Sequence, residues 1–160
     1  MTTVDLEIID ADNWREALEV RVADEQVPFV ADCQPIALVI LAKCFVRPDG
    51  RRWEPLLVRS DRGEAVGVLA LAHGPDECEL RHVAIDVERQ RRGYGTEAVR
   101  AVVERARRSA SDCTQLVVTA HPDNRAAHHA YRSAGFDWDG EERAGEPVWR
   151  CVVDRTSPDA

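Results

Sequence analysis

Apolar and polar positions divide the chain into short periodic segments. Val4, Leu6 and Ile8 alternate with polar neighbours in "TVDLEIID", which predicts a strand. In "DADNWREALEVRV", Trp14, Ala17, Leu18 and Val22 recur at helical spacing, with Asp12 or Asn13 as N-cap and Pro28 as the break. "QPIALVILAKCF" predicts a largely buried helix from near Pro35, with a wholly apolar strand as the competing reading. Two strand-like runs in "WEPLLVRSDRGEAVGVLALAH" flank the turn Asp61-Arg62-Gly63 and predict a hairpin, and "ECELRHVAID" continues it as a third antiparallel strand.

From Thr96 to Arg108 the apolar residues Ala98, Val99, Val102, Val103 and Ala106 share one helical face, and charged residues hold the other. "TQLVVTAH" is nearly all apolar, the pattern of a strand buried on both faces. Asn124 is placed to cap a helix over 125–134, with Gly135 where a positive φ is wanted. "GFDWDGE" and "EPVWRCVV" flank Gly145 as a closing hairpin, whose Trp138 and Trp149 serve either the core or a contact surface. The predicted order is β-α-α-β-β-β-α-β-α-β-β, an α+β layer architecture. Residues 1–154 are expected to form one domain and the polar tail 155–160 to fray.

The segment ahead of the central helix changes the picture, because it carries chemistry. Gly93-Tyr94-Gly95-Thr96-Glu97-Ala98 satisfies G-x-G-x-x-A, a dinucleotide-binding pattern. That fold needs its glycines straight off the first strand and an acidic residue at the tip of the next one. Here Glu88-Arg89-Gln90-Arg91-Arg92 intervenes, and the next strand ends in Thr119-Ala120-His121. A nicotinamide enzyme is therefore disfavoured, whereas the physics of anion binding survives. Glycines let main-chain N–H groups approach a phosphate, the helix N-terminus adds its positive dipole end, and Arg91 and Arg92 add charge. A glycine-rich helix start beside a solvated basic face accounts for the same residues without a ligand.

Charge and cysteine content narrow the partners. The formal net charge of -8 repels nucleic acid phosphates, so no nucleic-acid partner is expected. No run of about 18 apolar residues exists, and the N-terminus lacks a basic stretch followed by an apolar one. A soluble cytoplasmic protein with no membrane partner is expected. Cys33, Cys44, Cys78, Cys113 and Cys151 are scattered and never form C-x-x-C, the usage of reduced thiols rather than of a disulfide framework or zinc site. His128 and His129 point about 100° apart on a helix, a poor metal pair, and no metal is expected.

Written as Gln90-Arg91-Arg92-Gly93-Tyr94-Gly95, the loop gives Q-x-x-G-x-G, and "NRAAHHAYRSAGF" follows about 30 residues later with a strand between. From Glu79 to Phe136 the chain thereby resembles the GCN5-related N-acetyltransferases (GNAT). The resemblance implies a mixed, mostly antiparallel sheet of six to seven strands flanked by about four helices and splayed between its fourth and fifth strands. Acetyl-CoA would be the co-substrate. Gln90, Arg91, Arg92, Gly93, Tyr94, Gly95 and Thr96 would hold its pyrophosphate, main chain at Val83, Ala84 and Ile85 would pair with pantetheine, and Asn124 and Tyr131 would contact the cofactor. Homodimers are common for the resembled fold.

Acetyl transfer to an amine needs a base, since an alkylammonium with a pKa of about 10.4 has no free lone pair. Glu79 stands where several members of the resembled family place a base, acting through a water; a salt bridge to Arg81 is its bland alternative. His82 is the second candidate, facing opposite Glu79 by strand alternation unless a bulge re-aims one of them. Tyr131 matches the family's tyrosine acid, which would protonate the leaving thiolate; simple packing on the sheet is its alternative. "NWREALEV" with Gln26-Val27-Pro28-Phe29-Val30 resembles the bacterial diamine and spermidine acetyltransferase branch. A cationic amine would then be held by Asp24, Glu25 and Asp32. Arg81-His82 departs from that branch, and Val87 stands where many members have proline. Amino acids, aminoglycosides and protein N-termini are the other acceptor classes, and a non-catalytic acyl-CoA sensor is the alternative to an enzyme.

Overall fold

The computed structural model describes residues 2–109 and 113–154; the predicted tail at 155–160 lies outside the described residues. Seven strands form one sheet: β1 (Val4–Ile8), β2 (Arg52–Ser60), β3 (Ala65–His73), β4 (Glu77–Ile85), β5 (Gln115–Thr119), β6 (Asp137–Arg143) and β7 (Glu146–Val152). Their spatial order is β1-β2-β3-β4-β5-β7-β6, and every neighbouring pair is antiparallel except β4 with β5. Five helices accompany it: α1 (Trp14–Glu19), the single turn α2 (Val27–Val30), α3 (Ile36–Val46), α4 (Tyr94–Arg108) and α5 (Arg125–Ser133). The α+β class and the predicted strand count hold.

Two apolar layers sandwich the sheet. On one face α4 buries Ala98, Val99, Val102, Val103 and Ala106, the predicted stripe, against Leu56, Leu69, Leu80 and Leu116, with Phe136 and Trp149 closing the far end. On the other face α1 and α3 bury Ala17, Ile36, Ala37 and Ile40 against Trp53, Leu57, Val68 and Ala70. Trp149 is therefore core, whereas Trp138 is 47% exposed. Leu116, Val117 and Val118 of β5 are buried on both faces, as the apolar run predicted.

The first helix departs from its prediction. Its backbone leaves helical geometry at Val20, which is extended, and Val20 and Val22 are buried outside the helix, not as its third turn. Gln34 explains the break: its amide accepts from Val22 N–H at 2.9 Å and donates to Val22 O at 3.0 Å, giving that backbone sheet-like partners. Pro28 does not end α1; it lies in the first turn of α2, where its missing N–H costs nothing. Asn13 is the N-cap by position, but its side chain caps no helical N–H; it accepts from Asp10 N–H and donates to Ile8 O.

Candidate active site

The opening in the sheet follows from where β4 leaves β5. Only Glu77, Cys78 and Glu79 pair with β5, opposite Gln115, Leu116 and Val117. Beyond Glu79 the β5-facing edge of β4 has no strand partner, which leaves it open to pairing with a ligand. On its other edge β4 stays paired with β3, but the register slips: Val68 pairs with Ala84 and Ala70 with Arg81, so Leu69 faces both His82 and Val83. This β-bulge is centred on His82, whose φ is 55°.

The bulge overturns the parity expected from alternation. Glu79 shares the α1/α3 face with Ala72, its partner across β3, and His82 bonds to groups of α2 and α3 on that same face. Val83 is turned to the α4 layer. Both candidate bases thus stand on one side of the strand.

Their surroundings differ. One oxygen of Glu79 accepts from Arg51 at 3.1 Å and the other from Arg81 at 2.8 Å, which realises the salt-bridged alternative with one more partner. His82 makes a 2.6 Å bond through Nδ1 to the carbonyl of Val30, an acceptor, so Nδ1 carries the proton. Its Nε2 keeps a lone pair, directed at the Lys43 ammonium 2.8 Å away. Burial, with the nearby charges of Lys43 and Arg81, lowers the His82 pKa to about 4 although the bond to Val30 and Asp32 oppose it. The ring is neutral at neutral pH, with its Nε2 lone pair facing Lys43. Trp53 forms the floor of the cluster: the His82 ring lies 5.9 Å from it, Lys43 Nζ 5.2 Å and the Arg81 guanidinium 5.8 Å. The buried Trp53 indole N–H has no partner among the described residues.

Beyond Ile85 the chain turns into the glycine loop. The first helical bond of α4 runs from Glu97 N–H to Gly93 O, so the N–H groups of Tyr94, Gly95 and Thr96 precede it and have no intrahelical partner. Gly93 has φ +86° and Arg91 φ 64°, and this pair of left-handed residues curls the loop around the helix start. A Cβ on Gly95 would meet only Ile85 Cγ1 at 3.8 Å, so folding alone does not demand glycine there. Gln90 does not face the loop's N–H groups. Its amide pairs reciprocally with that of Gln26 at 3.0 Å and donates to Ile85 O, tying this loop to the segment before α2.

Across the opening, α5 follows β5. Asn124 caps it, accepting from Ala127 N–H at 3.2 Å. Tyr131 is 5% exposed within the α4-side core, its ring 6.0 Å from that of Phe136 and tilted 48° to it; burial, aided by the charge of Glu146, raises its pKa, so it is a phenol at every working pH. His128 accepts from the Trp149 indole and bonds His121 O, a structural task. Phe29 of α2 packs 5.0 Å from the His121 ring, so α2 spans from β4 to the end of β5. Of the three acidic residues expected at the acceptor, Asp32 exerts its charge on both Lys43 and His82, whereas Asp24 and Glu25 lie on the turn ahead of α2.

This arrangement has relatives. The family described as "Acetyltransferase (GNAT) family" matches residues 14–136. The chain belongs to that family. Membership makes it an acetyltransferase, and the splayed seven-stranded sheet is the GNAT fold. Among solved structures, AAC(6')-Ib with ribostamycin and coenzyme A is 17% identical, with 99% of each chain covered and a TM-score of 0.73. Spermidine N-acetyltransferase from Vibrio cholerae with coenzyme A and spermine is 12% identical, covering 94% of this chain and 96% of that one at a TM-score of 0.70. The ribosomal L7/L12 α-N-protein acetyltransferase RimL with coenzyme A is 18% identical over 97% of each chain, TM-score 0.67. No curated protein shows significant sequence similarity. Among the described residues no helix is long and apolar enough to cross a membrane, and no group of three or more His, Cys, Asp or Glu could hold a metal ion.

Sequence reasoning missed Lys43, Arg51 and Trp53, which belong to α3, to the residue before β2, and to β2 itself. No spacing rule joins these residues to β4; the sheet register does, placing Trp53 and Glu79 on either side of Ala72.

Proposed function

We propose that the chain transfers an acetyl group from acetyl-CoA to a primary amine by direct attack within the opening between β4 and β5, with residues 1–154 acting as one catalytic unit. The observation that carries this reading is two stretches of unpaired backbone close together along the chain: the β5-facing edge of β4 beyond Glu79 and, within about ten residues of Ile85, the N–H groups that start α4 without intrahelical partners. An amide-bearing pantetheine would pair with Val83, Ala84 and Ile85, and its pyrophosphate would accept from the loop between Gln90 and Thr96, beside the helix dipole.

In this mechanism the acceptor ammonium surrenders its proton on the α1/α3 face. His82 presents the directed lone pair; Glu79, with both oxygens engaged by arginines, takes part through a water. Neither group stores the proton, which passes to solvent, so turnover rises with pH toward the amine's own pKa. The neutral amine attacks the thioester carbonyl. As the intermediate collapses, Tyr131 donates its proton to the departing thiolate, a role its raised pKa suits because it arrives protonated.

Two acceptor classes are proposed. A diamine or polyamine is supported by Asp32, whose charge reaches the base, with Asp24 and Glu25 nearby in sequence. An amine bearing a carboxylate, such as an amino acid, is supported by a surplus of donors on the floor: Arg51, Arg81, Lys43 and the unpartnered Trp53 N–H. Incubation with acetyl-CoA and a pooled panel of polyamines, amino acids, aminoglycosides and peptides, read by product mass, tests both. An acetylated polyamine or amino acid selects between them. No product in a protein that acetyl-CoA stabilises against heating would overturn the catalytic reading in favour of an acyl-CoA sensor.

A further inference from the structure

Lysine occurs once among the 160 residues, at position 43; the other 20 of the 21 Lys and Arg residues are arginine. The distinction is chemical. A guanidinium stays protonated at any working pH, whereas a lysine amine can lose its proton and become a nucleophile. The one cation of this kind is not on the surface at large. It lies in the last turn of α3, directed across Trp53 to the Nε2 lone pair of His82 at 2.8 Å. Proton on Nδ1, lone pair on Nε2, ammonium in front of it: this is the relation an acceptor amine must adopt with its base. Burial and the charge of Arg81 both lower the Lys43 pKa, with Asp32 and Glu79 opposing, which enlarges the neutral fraction of the amine. Its partner His82 is the bulge residue of β4, in the stretch of that strand that has no β5 partner.

We propose that Lys43 is a self-acetylation site, modified by the chain's own acetyl-transfer centre with acetyl-CoA as donor. The inference rests on the functional reading above, in which pantetheine runs along Val83 to Ile85 and His82 takes the proton of the acceptor amine. The Lys43 ammonium passes one proton to His82 Nε2 and thence to solvent, and the freed nitrogen lone pair forms the C–N bond to the thioester carbonyl carbon. The C–S bond then breaks, its electron pair leaving with sulfur. The second nitrogen proton is released to solvent as the amide forms, and the thiolate is protonated by Tyr131, which recovers a proton from solvent. Acetyl-CoA and the lysine ammonium thus give an acetyl-lysine, coenzyme A thiol and one free proton. The amide N–H still reaches Nε2, and the acetyl group fills the space before the base, so the modified chain turns over external amines more slowly.

The experiment is incubation of the purified protein with acetyl-CoA, without any amine, followed by intact mass and peptide mapping. The expected result is one added acetyl group, mapped to Lys43, at a rate independent of protein concentration. The mark should be lost in Lys43→Arg and in heat-denatured chain, suppressed by excess coenzyme A, and slowed on the order of 100-fold in His82→Gln. Circular dichroism of both variants establishes that they fold. An unmodified Lys43 in a preparation that acetylates external amines overturns this inference and leaves the functional reading intact. An unmodified Lys43 in a protein that acetyl-CoA fails to stabilise overturns both. Equal labelling of native and denatured chains overturns it as uncatalysed chemistry.

Discussion

Gly95→Ala separates folding from cofactor binding at one atom. Gly95 is the second residue of α4, its φ is not in the left-handed region, and an added Cβ would find only Ile85 Cγ1, at the ordinary contact distance of 3.8 Å. In the free protein the alanine should be tolerated and should stabilise, since glycine in a helix is worse than alanine by about 0.5–1 kcal/mol. For a chain of this size that raises Tm by about 1–4 °C. If the pyrophosphate of coenzyme A lies on the N–H groups of residues 94–96, as proposed, the same methyl would crowd it. Losing one hydrogen bond to a charged group costs about 1.5–3 kcal/mol, or about 10- to 150-fold in Kd. Calorimetric titration with coenzyme A and thermal unfolding without it measure the two effects on one preparation. A variant that binds coenzyme A as tightly as the parent, or that melts below it, refutes the phosphate cradle as argued here.

Further outcomes follow from the same geometry. Gly93→Glu places a side chain and a charge at a φ of +86°, so acetyl-CoA should no longer stabilise the protein against heating, and it should lose about 1–2 kcal/mol of its own stability. Tyr131→Phe should lower kcat on the order of 100-fold while leaving coenzyme A affinity unchanged by titration, because only the transferred proton is removed. His82, neutral when folded, has a pKa of about 4 against an ordinary 6.5; above 6.5 neither state is charged, and from 6.5 down to 4 the unfolded chain alone gains a proton. Stability should therefore fall by up to about 3 kcal/mol over that window, and a Tm series in His82→Gln should lack this slope. Glu54, held at about 2 by its bonds to His73 and Arg105, acts in the next window: its contribution is present above 4.5 and is lost from 4.5 down to 2 in both proteins. Phe136→Ala, at a site 1% exposed, should cost about 3–5 kcal/mol by chemical denaturation without altering the relative rates on different amines.

Strand and helix boundaries from β2 onward were legible because each segment obeys one period: α4 buries the five residues its 3.6-residue stripe names, and β5 buries its apolar run. The arm from Glu19 to Pro35 was not, because its conformation is set by a distant amide, Gln34 on Val22, and by Gln26 on Gln90. Spacing predicted a helix reaching Val22 where tertiary bonds made extended chain. At the site, the glycine loop and Asn124 were readable from type and position. The side of β4 on which His82 stands was not, since a one-residue bulge is invisible to an alternation rule. Lys43 did carry a signal, its singularity in the composition, but only the fold supplies the imidazole that gives it meaning.

The short pairing between β4 and β5 has a mechanical side. Among the described residues the ladder at the seam where β1–β4 meet β5–β7 has three residue pairs, flanked by the bond from Thr114 N–H to Asp76 O and by ion pairs of Arg143 and Arg150 with Glu77. A cofactor threaded through the gap beyond Glu79 would lengthen that seam with bonds of its own, acting as mortar between two half-sheets as well as donor of the acetyl group. Amides along the facing edges of β4 and β5 should then exchange with solvent faster in the unliganded protein than after coenzyme A binds. The cell's supply of acetyl-CoA would set not only how fast this chain works but how tightly its two halves hold together.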